Sequence, residues 1–298
     1  MSDFLQVSLQ GVAAGSKYAL VALGFVVIFK ATGVINFAQG GFVLFGAYIA
    51  YNVGETWGLP FGFAVVIAML GGALIGATVE RVALRPMIGQ PPFTAIMITI
   101  GVLFVLEQVV TSIWGFNTLD LGDPWGNHTV HLGDITIATR NLWAVGLAIA
   151  ALLAFFLFFR YSSTGVAMRA TALDPEAALA QGISPGRVYT LAWAVSGAVA
   201  ALAGITLASG QGALSPGIGY VALAAFPAII LGGLDSPAGA VLGGVLIGVS
   251  QSLTARYLDG RWDWLGANFH TVMPYVLMIL ILLVRPYGLF GTKEVQRV

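Results

Sequence analysis

The chain has 298 residues, of which 58% are hydrophobic and only 9% charged, and its mean hydropathy is +0.90. Because soluble domains are charged at roughly a quarter of their positions, this composition excludes a soluble protein. The 13 basic and 13 acidic residues balance, which removes the positive surface that a nucleic-acid-binding protein needs. There is no cysteine, so disulfides, thiolate metal sites and cysteine nucleophiles are excluded.

The apolar stretches are continuous over roughly 17 to 25 residues, the length that an α-helix needs to cross a bilayer. Transmembrane barrels instead have short alternating strands. The 39 glycines favour close helix packing. The predicted fold is therefore an all-α integral membrane protein, a polytopic helical bundle forming a single transmembrane domain over residues 1–298. The start of the chain lacks the basic region and cleavage site of a secretory signal, so we expect the first apolar segment to be retained.

Nine membrane segments are predicted in chain order. They fall at about 11–29, 34–54, 59–79, 93–115, 141–159, 188–209, 219–234, 237–256 and 269–285. Eight or ten segments are also compatible with the pattern, because the polar interruptions around Gly33 and Asp235 are typical of a loop or of a break within one element.

The distribution of basic residues predicts the orientation, since cytoplasmic loops are enriched in Lys and Arg. If the polar loop 160–187 is cytoplasmic, alternation places nine basic residues inside: Lys30, Arg81, Arg85, Arg160, Arg169, Arg187, Arg285, Lys293 and Arg297. Only Arg140, Arg256 and Arg261 lie outside, and Lys17 falls within a segment. The carboxyl terminus is then inside and, with nine segments, the amino terminus is outside.

An internal repeat is indicated when the sequence is shifted by 200 positions. Gly33 then aligns with Gly233, and Arg85-Pro86 with Arg285-Pro286. The predicted halves cover about 11–140 and 188–298. They are parallel if nine segments are correct and inverted if one segment, first of all 34–54, is misassigned. Duplicated halves around a central path are common in transporters.

Two glycine-containing breaks are candidate parts of such a path. The first combines polar side chains with flexible backbone at Asn36, Gln39, Gly40 and Gly41. It is typical of a broken helix beside a translocation path or of a tight turn at the membrane surface. The second surrounds Asp235, which we expect to cap the next helix.

Glu107 is an acidic residue within an otherwise apolar segment, about 21 Å across the bilayer from Phe93. An ionisable group at such a depth indicates a transport pathway or a buried partner, for which Lys17 is a candidate. The alternative is a packing role with hydrogen bonds to Gln108 and Thr111.

No arrangement typical of an enzyme is visible. His128 and His131 lie three positions apart without a third nearby metal ligand, and the sequence contains no phosphate-binding loop or catalytic triad. We therefore predict a protein that is not an enzyme and that has no metal or cofactor. If a nucleotide supplies energy, another chain must bind it.

The loop 160–187 contains the signals of a short helix. Asp174 is a predicted N-cap, Pro175 a first helical residue, Glu176 a favourable charge near the start, and Gly182 a stop. The helix either lies at the membrane surface or docks into a groove on a partner through its small residues.

These residues resemble a known family. Glu176-Ala177-Ala178, followed after three residues by Gly182, is similar to the start of the EAA loop of permeases in bacterial ATP-binding-cassette importers, although the later apolar and proline portion of that motif is absent. Further segments resemble the LivH-type permeases of branched-chain amino-acid importers along nearly the whole chain: 35–41, 80–86, 168–172, 231–233 and 285–291.

The resemblance implies a permease subunit in the bacterial cytoplasmic (inner) membrane. Its implied partners are a second homologous permease, two cytoplasmic ATP-binding subunits and an extracytoplasmic solute-binding protein. The residues implied in ATPase coupling are Arg169, Asp174, Glu176, Ala177, Ala178, Gly182 and Ile183. Asn36, Gln39, Gly40 and Gly41 are implied in the path. The alternative function is a stand-alone secondary transporter or channel for a small polar solute, for which Glu107 is the deep acidic candidate. The solute itself, whether leucine, isoleucine, valine, another amino acid, an amide or urea, is left open.

Overall fold

The structure is a computed structural model that describes residues 2–122, 124–126, 128–132, 135–209, 214–261 and 268–291. Within these ranges the chain forms eleven α-helices: α1 (Ser2–Thr32), α2 (Gln39–Tyr51), α3 (Phe61–Val79), α4 (Pro92–Trp114), α5 (Thr139–Tyr161), α6 (Ser163–Leu173), α7 (Pro175–Ala180), α8 (Pro185–Ala208), α9 (Val221–Gly232), α10 (Pro237–Tyr257) and α11 (Met273–Val284). Single π-helical turns extend α2 (Asn52–Thr56) and α3 (Glu80–Leu84), and a 3₁₀ turn precedes α9 (Pro216–Tyr220). Two strands, β1 (Thr129–Leu132) and β2 (Ile135–Ala138), form an antiparallel hairpin.

The predicted all-α, polytopic membrane class is confirmed. Among the described residues, six helices combine the length and apolarity needed to cross a membrane: α1, α3, α4, α5, α8 and α10. A helix also lies at each of the other three predicted segments, but none of them is among these six. With their flanking turns, α2 covers residues 39–56 and α9 covers Pro216–Gly232, while α11 has 12 residues. At about 1.5 Å per residue these runs cover about 18–27 Å of a hydrocarbon layer that is roughly 30 Å thick. The count of nine spans therefore stays a prediction.

Side-chain contacts define two ends of the bundle. At the end that we call the hairpin end, Arg256 pairs with Asp3 and Gln6 donates to the backbone of Thr136 beside the strands. At the opposite end, which we call the loop end and which contains α6 and α7, Lys30 lies over the ring of Phe159 and Arg85 donates to Gly186. Successive long helices therefore cross between these two ends.

The first break re-enters the bundle. After α1 ends at Thr32, the chain turns back, so that α2 begins at Gln39 beside Gly24. Gly24 lies eight residues, about 12 Å, before the end of α1. Of the two alternatives for the first break, the structure therefore shows the broken helix: α2 starts in the interior of the bundle and runs toward the hairpin end.

The core is built around α1 and α8: in an apolar 18-residue stretch of each helix, 72% and 67% are buried, against 17–39% in the other four spanning helices. Small residues permit the closest helix contacts. Gly72 of α3 and Gly197 of α8 lie backbone to backbone, and a Cβ on either one would overlap the carbonyl group of the other. Such contact is the packing expected of helices that associate within a bilayer. The less buried helices α4 and α5 form the periphery.

Three details differ from the sequence-based predictions or add to them. The β-hairpin was not predicted, because its strands are only 4 residues long. The N-cap of α10 is Ser236, whose hydroxyl accepts from the amide of Gly239 at 3.0 Å, so the prediction that Asp235 caps this helix is wrong. Gly33 and Gly233, which align in the predicted repeat, both have positive φ angles of 69° and 105°, while the repeat itself stays a prediction. Lys293 and Arg297 lie outside the described residues.

Candidate functional site

Two side chains from the first break form a buried polar cluster with α4 and α8. Asn36 and Gln39 are fully buried, and the Asn36 amide donates to Oε1 of Gln39 at 3.2 Å. Ser196 of α8 lies 2.9 Å from the same oxygen and 2.8 Å from the carbonyl of Gly24. Thr99 of α4 accepts a hydrogen bond from the amide of Phe37 at 3.2 Å. The cluster satisfies most of the polar groups that the broken helix exposes in an apolar interior.

One polar group in this cluster has no partner. Nε2 of Gln39 is buried and forms no hydrogen bond within the described part of the chain. An amide donor that is buried without a hydrogen-bond partner destabilises the folded protein, unless a step of the functional cycle supplies an acceptor. Gln39 is therefore the residue of the cluster that best fits a functional role.

A cavity of about 210 Å³ opens from the loop end toward the cluster. Its wall includes Val34 at the break, Ala95 of α4 and Trp193 of α8. Thr99 and Ser196 each lie about one helical turn deeper than Ala95 and Trp193 on the same helices. The polar cluster consequently lies beyond the closed end of this cavity.

The glycines of the break have a different role from its polar residues. Gly40 lies against the backbone of Gly219, and Gly41 lies against the side chain of Leu106. A Cβ at either position would collide with these neighbours. The structure therefore places both predicted path residues in helix contacts rather than beside the cavity.

Glu107 is half-buried on α4, and its carboxylate accepts a hydrogen bond from the hydroxyl of Tyr220 at 3.1 Å. Tyr220 lies in the 3₁₀ turn before α9, 113 positions away. The prediction of Lys17 as the partner is wrong, and Thr111 bonds to the backbone of Glu107 rather than to its carboxylate. Glu107 thus joins α4 to the second half of the chain and lies apart from the Gln39 cluster.

The short helix predicted in the loop 160–187 is confirmed as α7. Oδ1 of Asp174 accepts from the amides of Glu176 and Ala177, both at 3.0 Å, and Pro175 is the first helical residue. At the other end, the amide of Ile183 donates to the carbonyl of Ala178 at 3.0 Å and Gly182 donates to Leu179 at 2.9 Å. This pair of bonds is a Schellman motif, which requires the positive φ of 81° at Gly182.

The exposure of α7 revises which of its residues can contact a partner. Asp174, Glu176, Ala177 and Gly182 are exposed, whereas Ala178 is buried and Ile183 half-buried. Ala178 therefore packs α7 against the rest of the chain, and its burial does not support its predicted place on a docking face.

Two apolar side chains of the same loop point into solvent and were missed in the sequence. Leu173 at the end of α6 is 89% exposed, and Leu179 of α7 is 62% exposed. The sequence feature that could have identified them is the pair of leucines six positions apart, one on each side of the N-cap residue Asp174. Arg169, in contrast, donates to the backbone carbonyl of Phe159 and lies 5.3 Å from the centre of its ring, so its guanidinium faces α5.

A buried ion pair beside this loop was also missed. The carboxylate of Glu80, at the end of α3, is 2% exposed and binds the guanidinium of Arg85 through contacts of 3.0 and 3.2 Å. The same guanidinium donates to the carbonyl of Gly186 and to Thr190, at 2.7 and 2.6 Å, and Thr190 donates to Glu80 at 2.6 Å. These bonds fasten α3 to the first turns of α8, immediately after the loop.

Comparison with known proteins identifies the family. Residues 8–282 match the family model described as the permease component of branched-chain amino acid transport systems. The chain is 34% identical to the high-affinity branched-chain amino acid transport system permease protein LivH of Escherichia coli K12, over 99% of this chain and 98% of LivH. It is 31% identical to BraD of Pseudomonas aeruginosa, with the same coverage. LivM of Escherichia coli K12 is 26% identical, over 94% of this chain and 69% of LivM.

These matches agree with the arrangement of the chain. It has helices long and apolar enough to span a membrane, a helix break with a buried polar cluster, and an exposed capped helix at one end of the bundle. With the family model covering residues 8–282, the chain belongs to the permease family of branched-chain amino acid transport systems.

Proposed function

We propose that the protein is the membrane-spanning permease of an ATP-driven importer that moves branched-chain or related amino acids into the cell. The observation that carries the proposal is its similarity to LivH along 99% of the chain, since LivH is named as a permease of this transport system. The protein itself performs no chemical step. Its task is to open and close a path when separate ATPase subunits bind and hydrolyse ATP.

The loop end faces the cytoplasm in this proposal. Seven of the described basic residues belong to that end, Lys30, Arg81, Arg85, Arg160, Arg169, Arg187 and Arg285, against three at the hairpin end, Arg140, Arg256 and Arg261. This bias follows the rule for bacterial inner-membrane proteins. The hairpin end then faces an extracytoplasmic solute-binding protein.

We place the ATPase contact on α7 and the residues beside it. The helix is held in shape by its own caps, and Glu176 and Leu179 on it, together with Leu173 at the end of α6, are exposed to solvent. Apolar anchors surrounded by polar residues are typical of protein interfaces. Because α8 starts just beyond α7 and is bonded to α3, movement of α7 would be passed directly to the core helices.

The second permease is a homologous subunit of the LivM kind in this proposal. Escherichia coli K12 has both LivH and LivM, and both are similar to this chain.

We further propose that the solute passes the cluster of Asn36, Gln39 and Ser196, with the unpaired Nε2 of Gln39 as a donor to the polar groups of the solute. Helix breaks that offer backbone and amide groups at mid-depth are a recurring solution for polar solutes.

Reconstitution tests the proposal. The permease is inserted into proteoliposomes with the second permease and two ATPase subunits, ATP inside and the binding protein outside, and uptake of radiolabelled leucine is measured. We expect uptake that requires both ATP and the binding protein. Uptake by the permease alone, driven by an ion gradient, would instead establish a secondary transporter.

A Gln39→Leu variant is expected to lower leucine uptake by about tenfold, the effect of losing one good hydrogen bond to the solute. The midpoint of thermal unfolding should fall as well, because the substitution also removes the oxygen that accepts from the buried amide of Asn36 and from Ser196. Uptake and the midpoint of thermal unfolding are measured on the same preparation.

Thr206→Val is the matched control. Thr206 is also buried, on α8, but its hydroxyl bonds to Ala203 of its own helix. Its removal should leave uptake near the wild-type level. Normal uptake by Gln39→Leu would exclude Gln39 from the path, and a fall in unfolding midpoint with normal uptake would make it a packing residue.

A further inference from the structure

A second cavity, of about 740 Å³, lies at the loop end, on the outer side of α5. Its wall is formed by the last turns of α5 together with the ends of α1, α6 and α10. It is separate from the Gln39 cluster, because none of the cluster residues lines it. We propose that this cavity binds an anionic phospholipid, with an acyl chain on its apolar wall and the phosphate among its basic residues.

The apolar wall faces outward. It includes Leu152, Leu153, Phe155, Phe156 and Phe159 of α5. Leu153 and Phe156 are 54% and 50% exposed, and only 17% of the spanning part of α5 is buried. A surface of this kind within the membrane is covered by lipid chains unless a protein takes their place.

The basic residues stand at one edge of this wall. Lys30, Arg160 and Arg169 line the cavity together with a single carboxylate, Asp235, which lies near enough to Lys30 for an electrostatic interaction. Three cations against one carboxylate leave a positive rim. Basic pockets between helices on the cytoplasmic side are the recognised form of an anionic headgroup site.

Aromatic rings hold the cations where a headgroup would lie. The ammonium of Lys30 is 4.8 Å and the guanidinium of Arg169 is 5.3 Å from the centre of the Phe159 ring. The guanidinium of Arg160 is 5.8 Å from the ring of Phe156, and no ion pair of the described residues involves Arg160. The positive charges therefore lie next to the apolar wall. A single molecule with a phosphate group and a hydrocarbon chain can contact both.

The site connects regions that the transport cycle would move. Lys30 is in the last turn of α1, three residues before the positive-φ Gly33 of the break, and Arg169 is on α6, in the loop that carries α7. A bound lipid would therefore bridge the break to the coupling loop. A free phosphate would supply the charge without the contact to α5, so a diacyl lipid is the occupant that uses both surfaces.

The test titrates the purified full-length permease in detergent with dioleoylphosphatidylglycerol or dioleoylphosphatidylcholine and counts bound lipids by native mass spectrometry. We expect preferential binding of one phosphatidylglycerol. Arg160→Gln should weaken it by about fivefold, the contribution of one basic residue near a membrane surface. Arg160→Lys should retain most of the affinity, because it keeps the charge.

Arg187→Gln is the matched control, since it removes the same charge from an exposed position at the same end but outside the cavity. It should bind within about twofold of wild type, a change of about 0.4 kcal/mol. Equal binding of the two lipids, or equal weakening by Arg160→Gln and Arg187→Gln, would overturn the proposal. Displacement of the lipid by inorganic phosphate would identify a simple anion site and overturn it as well.

The remaining alternative is that another subunit covers the cavity. Leu153→Cys introduces a unique thiol, because the chain has no cysteine. In the assembled importer this thiol should react with a lipid-soluble maleimide and should not crosslink to the second permease. Efficient crosslinking would show that protein rather than lipid occupies the wall.

Discussion

Replacing Arg85 by alanine is expected to lower the free energy of unfolding by about 3–5 kcal/mol, the usual cost of leaving a buried charge without its partner. The carboxylate of Glu80 is 2% exposed and loses both of its contacts to the guanidinium when Arg85 is replaced. Its remaining donor is the hydroxyl of Thr190, at 2.6 Å. Unfolding by a denaturing detergent, measured on the purified protein, gives the change in free energy.

The reverse substitution, Glu80→Ala, should cost less, about 1–3 kcal/mol. The side chain of Arg85 is 35% exposed, so its charge can be solvated after the carboxylate is lost. The double variant should resemble Glu80→Ala rather than the sum of the two, because the two residues share one interaction. Additive losses would contradict the pairing.

Arg81→Ala controls for the loss of a positive charge at the same end of α3. Arg81 is exposed, and none of the ion pairs among the described residues includes it. Its replacement should change the free energy of unfolding by no more than about 0.5 kcal/mol. A large effect of Arg81→Ala would show that the net charge of this end, rather than the buried pair, determines stability.

The double variant Leu173→Glu/Leu179→Glu is expected to reduce ATP-dependent leucine uptake at least tenfold. Both leucines are mostly exposed at 89% and 62%, and they are the apolar anchors of the proposed ATPase contact. Loss of a central anchor typically costs about 2 kcal/mol or more, which corresponds to roughly a thirtyfold loss of affinity. Co-purification of the ATPase subunits and uptake into proteoliposomes are measured together.

Gln181→Glu is the control for this experiment. Gln181 is exposed at the end of α7, so the variant adds one negative charge, half of that added by the double variant, without removing an apolar side chain. It should co-purify with the ATPase subunits at the wild-type level. If the double leucine variant also co-purified and transported normally, the coupling contact would lie elsewhere on the loop end.

The structure of α7 could be predicted from the sequence because all of its determinants are local. Asp174 bonds to amides two and three residues ahead, and Gly182 ends the helix through its own backbone angle. Sequence reasoning did not identify which face of this short helix is exposed. Ala178 is buried and Leu179 exposed only because the rest of the bundle lies on one side of the helix.

The polar cluster shows the opposite case. Asn36 and Gln39 were recognised as unusual in an apolar chain, but Ser196, which lies 157 positions from Gln39, was not. A single hydroxyl on a small-residue helix gives no local signal of its partner. The same holds for Glu80. In the sequence it is one of several charged residues at helix ends, and only the structure shows that Thr190, 110 positions away, donates to it.

By itself, the sequence determined that this is a membrane protein, where its apolar helices lie, which end of the bundle carries the basic excess and where α7 begins and ends. These features follow from hydrophobic length, charge counts and capping, which act within a few residues. Only the tertiary structure decided that α2 starts beside Gly24, that Glu107 meets Tyr220 rather than Lys17, and that Glu80 fastens α3 to α8. In a bilayer these choices depend on close packing and on satisfying each buried polar group, and the partners that do so are distant in the chain.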